Sequence, residues 1–153
     1  AVYLAASGPK DERAQRVTFL VADLTRIPVQ DGAASVLLDV FTPAHYAEFA
    51  RVLKPGGVLI KALPGPGYLR EIRALAGQRD YRNDDVLRRL DETGGERFLP
   101  LARETLCYTF PLPEPLRADA VRMTPLTHAH AASPDALTEI TIEMEIAVLG
   151  KRE

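Results

Sequence analysis

The sequence predicts an α/β domain with a mostly parallel sheet and an antiparallel closing strand. Three observations carry this reading. Two nearly continuous apolar runs, "ASVLLDVF" (34–41) and "GVLIKAL" (57–63), flank a stretch of helical spacing. The loops between them are short, as in a βαβ crossover. Near the end of the chain, Ile140, Ile142, Met144 and Ile146 alternate with Thr141, Glu143 and Glu145. That period of two belongs to a strand with one wet face.

Taken in order, "VTFLVADL" (17–24) reads as a first strand, bounded by charges before it and "TRIPVQDG" after it. The runs at 34–41 and 57–63 are the second and third, and continuous apolar runs belong to strands buried on both faces. In "AHYAEFARVL", Tyr46, Phe49, Ala50 and Leu53 share a helical stripe. Lys54-Pro55-Gly56-Gly57 is expected to break that helix and launch the next strand. A second helix follows with Leu69, Ile72 and Leu75 in register, and "NDDVLRRLDETGG" reads as a short helix capped by Asn83 or Asp84. Then come a strand at 102–112, a helix of about two turns in "PLRADAVRMTPL", and the alternating strand.

The 153 residues suit one domain. Hydrophobic residues make up 46% and charged residues 26%, and the net charge of −2 gives no bulk argument for nucleic-acid binding. A single cysteine, Cys107, excludes an internal disulfide framework and fits a reducing, cytoplasmic compartment. No run approaches a membrane span of ~20 apolar residues. The first residue is Ala1, so a piece of a longer protein is expected.

Several strings together resemble a known family. "VADLTRIPVQDGAASVLLDVF" followed by "ARVLKPGGVLI" resembles the second half of class I S-adenosylmethionine-dependent methyltransferases, a Rossmann-like fold. "VFTPAHYAEFARVLKPGGVLIKALPGPGYLREI", "LCYTFPL" and "VRMTPLTHAH" in that order resemble the large-subunit ribosomal RNA guanine-N1 methyltransferases. That family's glycine-rich loop, ribose-binding acid and zinc module have no counterpart here. The resemblance therefore implies that residues 1–153 form the C-terminal part of a single, truncated methyltransferase domain. It also implies a parent that binds S-adenosylmethionine and ribosomal RNA, and weak cofactor binding by this chain.

The resemblance assigns the adenine contact to Asp23, with the backbone of Ala22 and Leu24 framing the ring; alternatively Asp23 caps a turn. Asp39 ends the second strand, where open α/β sheets bind ligands, and would accept the guanine N1 proton. It could instead order its own loop. Phe41 or Tyr46 would stack on a flipped base, with Thr42 and Pro43 beside it; Phe41 could equally belong to the core. Pro64 and Gly65, in the loop after the third strand, would face the same rim and admit RNA backbone, unless that loop is a plain turn. Arg70, Arg73, Arg79 and Arg82 would offer a basic face to phosphates or simply be solvated. No metal site is expected, since His128 and His130 lack partners at ligand spacing.

Two further readings stand beside this one. The chain could be a non-catalytic α/β fragment acting only in association. An oxidoreductase half is weaker, because no G-x-G-x-x-G follows a strand. Removing central strands would leave edges open, so a homodimer through exposed strands is also expected.

Overall fold

A computed structural model of the chain describes residues 20–77, 88–124 and 133–153. Its sheet has four strands: β1 (Ala34–Val40), β2 (Leu53–Pro64), β3 (Phe98–Pro111) and β4 (Glu139–Lys151). They lie in the order β1-β2-β4-β3, with β1 and β2 parallel and the other pairs antiparallel. The expected antiparallel closing strand is β4, but it lies inside the sheet, and β3 forms the edge.

Helix α1 (Tyr46–Val52) connects the parallel pair. It ends where Leu53 turns extended and still donates its N–H to the Phe49 carbonyl. The expected break at Lys54–Gly57 is different in kind. β2 begins at Leu53 opposite Ala34, and the next pairing is Val36 with Val58. Residues 54–57 thus bulge out of the ladder, with Gly56 at φ +69°. Helix and strand abut with no loop.

The core lies mainly on the face under α1. Phe49, Leu53, Leu59, Leu63, Phe98 and Leu149 interlock there, with Leu90 from the helical turn Leu90–Gly94. A second cluster joins Leu69 and Ile72 of the helix α2 region (Arg70–Leu75) to Leu112, Leu137 and Ala120 of α3 (Glu114–Arg122). The wet face expected on β4 is not where the alternation put it. Thr141 is 1% exposed, because its amide and hydroxyl both donate to the Glu71 carboxylate of α2. Ile142, Met144 and Ile146 on the other face are only half-buried.

Of the strand expected at 17–24, residues 17–19 lie outside the described residues and the rest is not a strand. Residues 20–22 are exposed and outside the sheet, and Asp23 to Arg26 form a tight turn. An isolated strand has no ladder to satisfy its backbone, and among the described residues none lies beside this one. Asn83, Asp84, Arg79, Arg82, His128 and His130 lie outside the described residues.

The loop between that turn and β1 is pinned from α1. Glu48 accepts the Ile27 amide at 2.7 Å, and Arg51 donates to the carbonyls of Ile27 and Val29 and to Asp31. Glu48 and Arg51 also bond each other. The Arg51 guanidinium holds the Glu48 carboxyl down at about 2. A depressed carboxyl contributes fully above its ordinary range, and that contribution is lost as pH falls toward the folded value. NMR titration should therefore show the Ile27 amide moving with a midpoint near about 2, not in the ordinary carboxyl range. Glu48→Gln should abolish that step and raise amide exchange through 27–31.

Candidate functional site: two cavities at the ends of the parallel strands

At the carboxyl ends of β1 and β2 the chain buries a charge pair. Lys61 Nζ lies 2.5 Å from Asp39 Oδ2, and both side chains are 1% exposed. Lys61 also donates to the Thr42 carbonyl at 3.1 Å, while the Thr42 hydroxyl donates to Asp39 Oδ1. The two residues face each other because Asp39 and Lys61 are register partners across the parallel pair. A buried pair needs such further hydrogen bonds to offset desolvation. Here both carboxylate oxygens are taken.

The network closes a strained turn. Phe41 adopts φ +56°, a conformation that costs a bulky residue about 1–3 kcal/mol. It is held by its amide on the Ala62 carbonyl and by ring contact with Tyr68, centroids 4.8 Å apart. The residue after Tyr68, Leu69, is the other described non-glycine at positive φ, +52°. Two left-handed residues thus bring the two rings together.

A cavity of about 370 Å³ opens at this rim, lined by Phe41, Thr42, Pro43, Ala44, Tyr46, Lys61, Leu63, Pro64 and Arg89. Four of the residues expected at the substrate site therefore meet in one place: Phe41, Thr42, Pro43 and Pro64. Tyr46 is 6% exposed and packs edge-on against Phe49 and Phe98, so it is a core wall. Burial pushes its hydroxyl up to about 12. Gly65 is not open to a ligand: a Cβ there would meet the Glu143 carboxylate at 2.7 Å. The same carboxylate fills the space over Gly67.

On the other side of the ion pair lies an apolar groove of about 620 Å³ along the outer edge of β1. Leu24, Ile27, Val29, Leu37, Val40, Asp39 and Thr42 line it. Of the expected adenine contacts, Leu24 borders the groove, and Ala22 and Asp23 are exposed. Asp23 accepts the Thr25 amide and hydroxyl at 2.8 Å, and the amide chiefly holds its carboxyl below the ordinary value. It forms the turn that the alternative reading describes.

Of the expected basic face, only Arg70 and Arg73 are among the described residues. Arg70 is exposed and paired with Glu71, whereas Arg73 is 4% exposed and donates to the Pro66 carbonyl. Among the described residues no group of three or more acidic, histidine or cysteine side chains could hold a metal, and no helix is long and apolar enough to cross a membrane. Sequence reasoning missed Lys61, Tyr68 and Arg89. For Lys61 the signal was present, since a lysine inside a continuous apolar strand must find a buried partner.

Lys61→Met alone should lower unfolding free energy by about 3–5 kcal/mol, because it strands Asp39 as a buried, unpaired charge. Lys61→Met combined with Asp39→Asn should recover most of that loss in urea titrations. An equally unstable double variant would show that packing, not charge pairing, sets the cost.

No family model matches the chain. It is 33% identical over 111 residues to the 23S rRNA (guanine(748)-N(1))-methyltransferase of Streptomyces fradiae, covering 72% of this chain and 39% of that protein. It is 41% identical over 73 residues to the "Putative 23S rRNA (guanine-N(1)-)-methyltransferase YxjB" of Bacillus subtilis (strain 168), covering 45% of this chain and 26% of that one. The matched part spans well under half of either relative. A solved structure described as "Conversion of a Disulfide Bond into a Thioacetal Group during Echinomycin Biosynthesis" shares the fold, with TM-score 0.57, 11% identity, and coverage of 91% of this chain and 58% of that chain. The chain has a Rossmann-like α/β fold and resembles, over part of their length, the 23S rRNA guanine-N1 methyltransferases.

Proposed function

We propose that these residues form the C-terminal part of a methyltransferase domain whose parent methylates guanine N1 in large-subunit ribosomal RNA. The observation that carries this is the pair of cavities sharing Thr42 and divided by the Asp39–Lys61 pair. A methyl transfer needs the acceptor nitrogen and the methyl carbon in line and roughly 3–3.5 Å apart with nothing between them, so the two cavities would have to open into each other beside Thr42. The rim cavity would receive the flipped base against Phe41, beside Thr42, Pro43 and Pro64. The groove, which Leu24 borders and which Ala22 and Asp23 precede in the chain, would take the adenine of S-adenosylmethionine.

The fit to that cofactor is partial. Apolar walls and Leu24 suit a flat ring, and no described residue of the groove offers a cation to a carboxylate. When bound, S-adenosylmethionine supplies an electrophilic methyl group. The chain's own residues would orient the base and exclude water. We read Asp39 as the anchor of Lys61 and of the Phe41–Pro43 turn, because its oxygens are engaged and it is 4% exposed. In a longer parent, Asp39→Asn tests this against the general-base role. A base variant regains methylation as pH rises and guanine N1 loses its own proton, whereas a lost anchor depresses the rate at every pH.

Calorimetry on the 153-residue chain should show S-adenosylmethionine binding no tighter than about millimolar, roughly −4 kcal/mol. Micromolar binding would mean that the groove alone holds the cofactor.

A second reading has its own observation. The outer side of β1 has no neighbour among the described strands, and Val36, Leu38 and Val40 are 56%, 65% and 44% exposed. The only charge on β1, Asp39, points inward, so no charged side chain guards the edge. This supports association through β1, with a second copy as partner. Light scattering should then report a dimer at micromolar concentration that Leu38→Lys returns to monomer; a compact monomer at all concentrations rejects it.

A further inference from the structure

Lys61 holds a position that the fold alone does not explain. Its ammonium has three donors and no acceptor. Two donors are engaged, by Asp39 Oδ2 and the Thr42 carbonyl. The side chain, only 1% exposed, is also among those that line the rim cavity, whose other walls are chiefly Phe41, Pro43, Ala44, Leu63 and Pro64. Arg89, the other cation there, is exposed, which suits a phosphate at the mouth better than a base edge.

We propose that Lys61 is the specificity-determining residue of this cavity, giving its third N–H to the 6-oxo group of a bound purine. The proposal rests on the reading that the rim cavity receives the guanine base. Guanine presents an acceptor at position 6, where adenine presents an amino donor. An ammonium can only donate, so adenine would set donor against donor in a buried place where an unmet polar group is costly. Asp39 and the Thr42 carbonyl fix the ammonium so that it cannot turn away.

The same contact would assist the reaction. Removing the N1 proton leaves a negative charge that conjugation shares between N1 and O6. A fixed cation at O6 stabilises that charge as it develops, without reorganising. Lys61 itself gives up no proton, and the N1 proton leaves to solvent or to a neighbouring acceptor.

The test uses the 153-residue chain with guanosine, inosine and adenosine, followed by NMR through the ring resonances of Phe41 and Tyr46. Inosine keeps the 6-oxo group and lacks the 2-amino group, so it isolates the contact. Guanosine and inosine should bind about fivefold more tightly than adenosine, the scale of one hydrogen bond. The variant is Lys61→Met with Asp39→Asn, which avoids a lone buried charge, and it should bind all three within about twofold. Binding without preference in the wild type, or a preference kept by the variant, overturns the role of Lys61 and leaves the base pocket standing. If none of the three nucleosides shifts either ring, both the pocket reading and this one fail.

Discussion

The site depends on one buried interaction, the ammonium of Lys61 against the carboxylate of Asp39 across the parallel pair. Each charge alone would be intolerable on an apolar strand. Together, and with both groups of Thr42 recruited, they close the ends of β1 and β2 as a unit. The strained backbone at Phe41 follows, since the chain must reverse at once for Thr42 to reach back to Asp39. The wall between groove and rim cavity is that same turn.

Much of this was legible in the residues. The parallel pair and α1 could be read because strands covered on both faces show as continuous apolar runs. Four residues expected on the substrate side, Phe41, Thr42, Pro43 and Pro64, were grouped by motif order, and the structure brings them to one cavity. What stayed hidden was set by contacts distant in sequence. Gly65 read as space for a ligand, yet the carboxylate of Glu143 on β4 occupies it. Thr141 read as wet, and Glu71 dries it from a helix seventy positions away. Arg73 read as surface and is buried on the Pro66 carbonyl. Alternation reports which residues share a face, and only the tertiary fold decides which face is covered.

The groove is shaped by a second polar hub. Glu48 and Arg51 hold the segment around Ile27 and Val29 over the edge of β1 through backbone groups, so the loop keeps its place with little apolar burial of its own. The arrangement ties the groove's outer lip to α1, while the ion pair ties its floor to β2. Core packing under α1 supports both, because Phe49 and Leu37 lie between them.

The sheet is bounded by two unlike margins. β1 is short, apolar and without an outward charge, while β3 is long and carries Arg103 and Glu104 among exposed Leu106, Tyr108 and Phe110. Copies joined like to like, β1 on β1, form a twofold object that is complete after two chains. Copies joined β1 on β3 present the same two margins again after every addition, so the ribbon has no natural end. The charges on β3 disfavour the second mode and the bare β1 favours the first. Were copies to join through these margins, the strand that carries the charge would decide between a closed pair and an unlimited fibre.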